Sequence, residues 1–208
     1  MDMEPIVKAV RHLFAQDASG HDFWHTMRVY RSAMTIADTE SCDRDVVALG
    51  ALLHDADDRK LFATENYANA RMILRQQGAV PELEERVIGV IKTVSFGGGS
   101  VVPDTIEGKI VQDADRLDAL GAIGAARTFA YGGSHGTPMH DPDCPPRLDM
   151  TPEEYRHHRG TSVNHFYEKL FTLKDTMNTE SAKRLAESRD RYLREFLEEF
   201  LLEWDGQR

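Results

Sequence analysis

The segment Val46-Val47-Ala48-Leu49-Gly50-Ala51-Leu52-Leu53 is apolar at every position, so a helix built from it has no polar face to turn toward water. Such a helix must be enclosed by other elements, which restricts the chain to folds that bury one helix among several. The apolar run then ends abruptly in His54-Asp55-Ala56-Asp57-Asp58. Buried charge is costly unless it is paired or held by a metal, so this ending is a second constraint on the fold. The dipeptide alone decides nothing, because His21-Asp22 and His140-Asp141 are His-Asp pairs as well.

The rest of the chain supplies the enclosing helices. Trp24, Met27, Val29, Met34, Ile36 and Ala37 recur at helical offsets behind Asp22, a residue suited to an N-cap. Asp43 or Asp45 can start the helix that ends in His54. Thr64 with Glu65 opens a stretch running through Ile73 and Leu74 to a stop at Gly78. Pro81 fits the first turn of the next helix. Thr105 and Glu107 begin one long helical stretch through Ile110, Leu117, Leu120 and Ile123, and two more run over about 153–174 and 180–204. Alternation of the strand kind is nearly absent, beyond the short run "SVVPD". The expectation is all-α: a compact multi-helix bundle forming a single domain over 1–208, with one long irregular loop near 131–152. Gly132-Gly133 reads as a tight turn within that loop. Ser95–Ser100, "SFGGGS", lacks the Lys-Ser/Thr ending of a phosphate-binding P-loop.

Composition narrows the partners. A net charge of -10 argues against a nucleic-acid polymer, which needs a basic face. It does not exclude a small phosphorylated substrate, because local Arg, Lys or metal can outweigh the global field. The N-terminal residues lack the basic start and apolar core of a signal peptide. No apolar run approaches the roughly 20 residues needed to span a bilayer. With only Cys42 and Cys144 as thiols, a reducing, cytoplasmic setting is expected.

Chemistry gathers on three separate helices. These carry His25, then His54-Asp55, then Asp113, Asp115 and Asp118 set into an otherwise apolar stretch. Asp115 and Asp118 are three apart and share a face, while Asp113 points elsewhere. Imidazole combined with carboxylate suits Mn, Fe, Zn, Co or Ni.

The order His … His-Asp … Asp, with the pair ending "ALLHD" and the last acid in "DADRLDA", resembles the HD-domain metal-dependent phosphohydrolases. "SGHDFWHTMRV", "EGKIVQDADRLDALGAIGAARTFAYGG" and "NHFYEKL" are similar to a small bacterial branch, the YpgQ/YedJ-like proteins. The resemblance covers about residues 17–178, leaving the C-terminal helix near 180–204 outside it. It implies His25, His54, Asp55 and Asp115 as ligands of one divalent ion, Mn first, with Mg, Fe, Co, Ni or Zn in reserve. It implies Asp58 as the catalytic acid that assists the attacking water, and leaves Asp57 without a role.

A phosphorylated substrate needs donors. Arg28, one helical turn past His25, is one candidate, with Lys60, Arg116, Arg127, His165 and Lys169. The implied activity is hydrolysis of a small nucleotide, in the narrowest form a nucleoside triphosphate cut to monophosphate and pyrophosphate. A monophosphate or guanosine alarmone hydrolase is the alternative, and a metal-bound nucleotide sensor without turnover the alternative of another class. The apolar stripe of the C-terminal helix suits either a cap on the core or a homodimer contact.

Overall fold

The computed structural model describes residues 1–15, 22–58, 61–94 and 101–208, and among these the regular structure is helical with no strand. His21, Lys60 and the glycine-rich 95–100 segment lie outside the described residues. The contacts divide the chain into two compact units, Met1–Asp115 and Arg116–Arg208.

In the first unit, helices α1 (Glu4–Leu13), α2 (Phe23–Ala37), α3 (Arg44–Leu53), α4 (Ala68–Gln76) and α5 (Pro81–Val94) precede α6 (Ile106–Asp118). Helix α3 is the centre: every residue from Val46 to Leu53 is buried, and α1, α2 and α5 pack against it. Each large apolar side chain so enclosed stabilises the fold by about 1.5–3 kcal/mol. The helix starts at Asp43, whose carboxylate accepts from the amides of Asp45 (3.1 Å) and Val46 (3.3 Å).

Helix α4 begins later than Thr64-Glu65 suggests. Asn66 and Tyr67 take left-handed φ values of 52° and 57°, and the helix opens at Ala68. Asp57 is the reason. Its carboxylate accepts from Thr64 Oγ1 (2.6 Å) and from the amides of Asn69 (2.9 Å) and Ala70 (2.9 Å). Asn69 Nδ2 in turn donates to the Ala56 carbonyl at 2.8 Å. The cap of α4 thus comes from the turn after α3, and the chain bends through two strained residues to reach it. Each such residue costs about 1–2 kcal/mol.

The second unit comprises α7 (Gly121–Ser134), α8 (Pro152–His157) and α9 (Ser162–His165). A π-helical turn (Phe166–Leu170), α10 (Phe171–Leu173), a 3-10 turn (Lys174–Thr176) and α11 (Glu180–Trp204) complete it. Three expectations change here. The stretch from Thr105 is two helices, because Leu120 is extended and Gly121 takes a φ of 72°, which glycine alone adopts freely. Helix α7 then runs through Gly132-Gly133 to Ser134, so the irregular loop begins at His135 and the pair is no turn. A Cβ on Gly132 would lie 2.2 Å from Ser162 Oγ: the glycine permits the close approach of α7 and α9. Lastly, the 153–174 stretch is interrupted at His158–Thr161, and Thr161 recaps it by accepting from the Asn164 amide at 3.1 Å.

Helix α11 packs on α7. Phe196 and Phe200 meet Phe129 at ring separations of 6.1 and 5.4 Å, and Phe196 stacks on Phe166 at 6.1 Å, within the range where aromatic pairs attract. The apolar stripe of α11 therefore covers the core of its own unit. Among the described residues no helix is long and apolar enough to cross a membrane.

Candidate metal centre

Three backbone features of the first unit aim four side chains at one point. Asp22 caps α2, its carboxylate accepting from the His25 amide at 2.8 Å. The acid of the first His-Asp pair is thus a cap, and His25 itself sits one turn into the helix, 1% exposed. His54 ends α3, with its Nδ1 2.9 Å from the Ala51 carbonyl. A carbonyl can only accept, so Nδ1 carries the hydrogen of the neutral ring and the Nε2 lone pair faces away. Asp55 follows in a turn closed by the Asp58 amide donating to its carbonyl at 3.1 Å. Asp115 projects from α6.

The separations are short. His25 Nε2 lies 3.3 Å from His54 Nε2, 3.4 Å from Asp55 Oδ2 and 3.4 Å from Asp115 Oδ1. His54 Nε2 lies 3.3 Å from Asp55 Oδ2 and 3.9 Å from Asp115 Oδ1. Donors about 2.1 Å from a common centre stand roughly 3.0–3.4 Å apart, depending on coordination number. Most of the observed spacings are within about 0.1 Å of that range, so the residues present fit a divalent cation. His25, His54 and Asp115 each offer a ligand atom within 4.8 Å of the others, and Asp55 stands against both imidazoles. The Nδ1 bond of His54 is of the kind that orients an imidazole able to ligate a metal through Nε2.

Electrostatics agree with a site made for positive charge. Burial pulls the His54 pKa down, yet the Asp55 carboxylate, by charge and hydrogen bond, and then Asp115 outweigh it and carry it up to about 9. Without a metal the cluster therefore holds a proton, and a cation must displace it. With two imidazoles, two carboxylates and no thiolate, the donor set suits the borderline divalent metals.

The other sequence candidates have definite places. In the first unit, Asp58 is partly buried in the same turn as Asp55, and Arg28 is partly buried on α2. Asp113 is fully buried on α6. In the second unit, Arg127 donates to Asp118 at 2.7 Å and Arg116 to the Thr176 carbonyl. His165 immediately precedes the π-helical turn and Lys169 lies within it, with Tyr155 Oη 2.6 Å from His165 Nδ1. Lys60 lies outside the described residues. Asp141 of the third His-Asp pair accepts from the Asp143 amide at 3.0 Å, and His140 packs edge-on against Trp204 at 5.2 Å.

Sequence reasoning missed two contacts, the Ala51 carbonyl and Tyr155. The first has no letter in a sequence, since every residue carries a carbonyl. The second sits ten positions before its partner, across a break in the helix.

The HD domain family model matches residues 23–120, which include all four converging side chains. The YpgQ protein of Bacillus subtilis is 36% identical over 199 residues, 93% of this chain and 89% of its own length. An HD-superfamily hydrolase from Bacillus thuringiensis superposes with a TM-score of 0.78 at 42% identity, covering 98% of this chain and 96% of its own. The crystal structure of B. subtilis YpgQ in complex with ADP superposes with a TM-score of 0.77 at 34% identity, covering 96% of each chain. With helices of this arrangement carrying these four residues, the chain belongs to the HD-domain hydrolases, in their YpgQ-like branch.

Proposed function

We propose that the protein is a metal-dependent phosphohydrolase of small nucleotides, converting a nucleoside triphosphate to its monophosphate and pyrophosphate. The observation that carries the reading is the convergence of two imidazole nitrogens and two carboxylates at spacings that fit one divalent cation. The similarity to a YpgQ structure holding ADP supports a nucleotide as the substrate. His25, His54, Asp55 and Asp115 would hold the cation, with Mn the first choice. Bound there, it would supply Lewis acidity toward a phosphoryl oxygen and lower the pKa of a coordinated water.

The chain's own residues do the remaining work. Asp58, one turn past Asp55, accepts the proton of the water whose oxygen attacks the α-phosphorus. The bond from that phosphorus to the bridging oxygen then breaks, and pyrophosphate leaves. Arg28, three residues past His25 on α2, is the proposed donor to the phosphate chain.

The test is release of pyrophosphate or phosphate from a panel of nucleoside mono-, di- and triphosphates and guanosine alarmones, with Mn, Mg, Co, Ni, Fe or Zn added. Turnover of a triphosphate that drops by at least about a thousandfold in Asp55→Ala is expected, as for loss of a metal ligand. Activity untouched by Asp55→Ala would sink the mechanism. Binding without turnover across the panel would make the domain a nucleotide sensor.

A further inference from the structure

Trp24 is out of place in the apolar pattern of α2. Val29, Ile36 and Ala37 of that pattern are buried, whereas the indole is 53% exposed. It is also held still. Its ring meets Phe23 edge-on at 5.2 Å, and Phe23 is anchored in the core. The Arg11 guanidinium of α1 lies 4.3 Å from the Phe23 ring centre and 5.6 Å from that of Trp24, close enough for a cation–π attraction to both. A large flat ring that is open to water yet braced by two neighbours is a preformed stacking surface. Little is left to order when a partner arrives.

Its place on α2 says what that partner is. Successive residues of a helix are rotated by about 100°. Passing round α2, Trp24 is followed at about 40° by Arg28 and, about 60° further on, by His25. The His25 imidazole meets Asp55 and Asp115 at 3.4 Å in the candidate metal centre. One helix surface, wholly inside the first unit, thus carries in order a metal-facing imidazole, a guanidinium and an open indole. A nucleotide presents the matching order: a reacting phosphorus for the metal, an anionic oxygen on it for the guanidinium, and a flat base beyond the sugar.

We propose that Trp24 is the stacking platform for the nucleobase of the substrate. Stacking on an exposed ring reads no Watson–Crick edge, so it selects by ring area rather than by base identity. Purines bind more tightly than pyrimidines because they cover more of the indole. The assignment rests on the reading of the protein as a nucleotide hydrolase.

The full chain carrying Trp204→Phe keeps Trp24 as its one tryptophan and makes the platform visible. With Mg present, ADP quenches the Trp24 emission and inorganic pyrophosphate does not. By calorimetry, Trp24→Ala binds ADP about fivefold to a hundredfold more weakly, the worth of one stacked base, while its pyrophosphate affinity is unchanged. Trp24→Phe recovers part of the loss. The ratio of ADP to CDP affinity falls toward one in Trp24→Ala. With a nucleoside triphosphate the loss appears in KM and not in kcat.

Equal losses for ADP and pyrophosphate overturn the proposal and mark Trp24 as a brace for the neighbouring His25. So does ADP binding without quenching, or at unchanged strength in Trp24→Ala. A Trp24-dependent dimer with ADP affinity untouched gives the indole to a second copy of the chain and likewise overturns it. If no nucleotide is turned over at all, the hydrolase reading fails by itself. The ADP titration still decides the platform: binding that depends on Trp24 supports it, and no binding overturns it.

Discussion

His54 and His165 each have one ring nitrogen committed by a neighbour, and their ionisation moves in opposite directions. His54 gives Nδ1–H to the Ala51 carbonyl and faces carboxylates, so its pKa rises to about 9. His165 takes the Tyr155 phenol on Nδ1 and faces Lys169, so burial and that charge lower its pKa to about 4. The second shift makes a stability prediction. With a folded pKa near 4 and an unfolded value near 6.5, the neutral ring favours the folded state. That contribution is complete above about pH 6.5 and is lost as pH falls through about 4. A shift of this size is worth about 3 kcal/mol. Urea unfolding of the wild type and of His165→Gln, followed from pH 7 to pH 4, should show the wild type losing about that much more stability. Parallel losses would mean that His165 is not held neutral. The acids were legible as residue types, because carboxylates inside an apolar helix demand a partner. Their division of labour was not: Asp115 turns to the histidines, while Asp118, the last residue of the same helix, pairs with Arg127.

At the scale of elements, periodicity found the helices and glycine decided their limits. The apolar pattern continues across Asp118–Ile123, so spacing alone sees one helix, whereas the positive φ of Gly121 makes two. Gly132 misled in the other direction, reading as a turn when its absent side chain makes room for Ser162. Gly132→Ala should therefore destabilise by about 1–3 kcal/mol through overpacking. Adding Ser162→Gly should recover part of the loss, a coupling that a double-mutant cycle in urea would measure. Additive losses would mean that the two residues do not compete for space. Asp57 is the matching case in the first unit. It stands between Asp55, whose carboxylate meets both histidines, and Asp58, yet its own carboxylate is filled by Thr64, Asn69 and Ala70. Asp57→Ala should cost about 1–2 kcal/mol, the worth of a helix cap, with its effect on stability exceeding that on metal affinity. A loss of metal with unchanged stability would reassign it to the site.

For the whole molecule, the four candidate ligands all fall in the first compact unit, Met1–Asp115, although α6 continues past that limit to Asp118. A cation bound by the folded state alone stabilises that state by mass action, about 2.7 kcal/mol at a hundredfold excess over its Kd. Where that stability goes depends on how the chain opens. Amides that exchange only by unfolding the first unit must gain all of it, and amides that exchange by opening the second unit alone must gain none. Hydrogen exchange with and without Mn should therefore slow most in α2, α3 and the Ile106–Asp115 part of α6, by up to about a hundredfold, and least in α11. Equal slowing in α11 would show the two units to unfold as one cooperative block, with the metal tied to the global transition. Unchanged exchange in α2 and α3 would leave His25, His54 and Asp55 without a metal to hold, and the cluster would then be a proton trap in which His54 is charged at neutral pH.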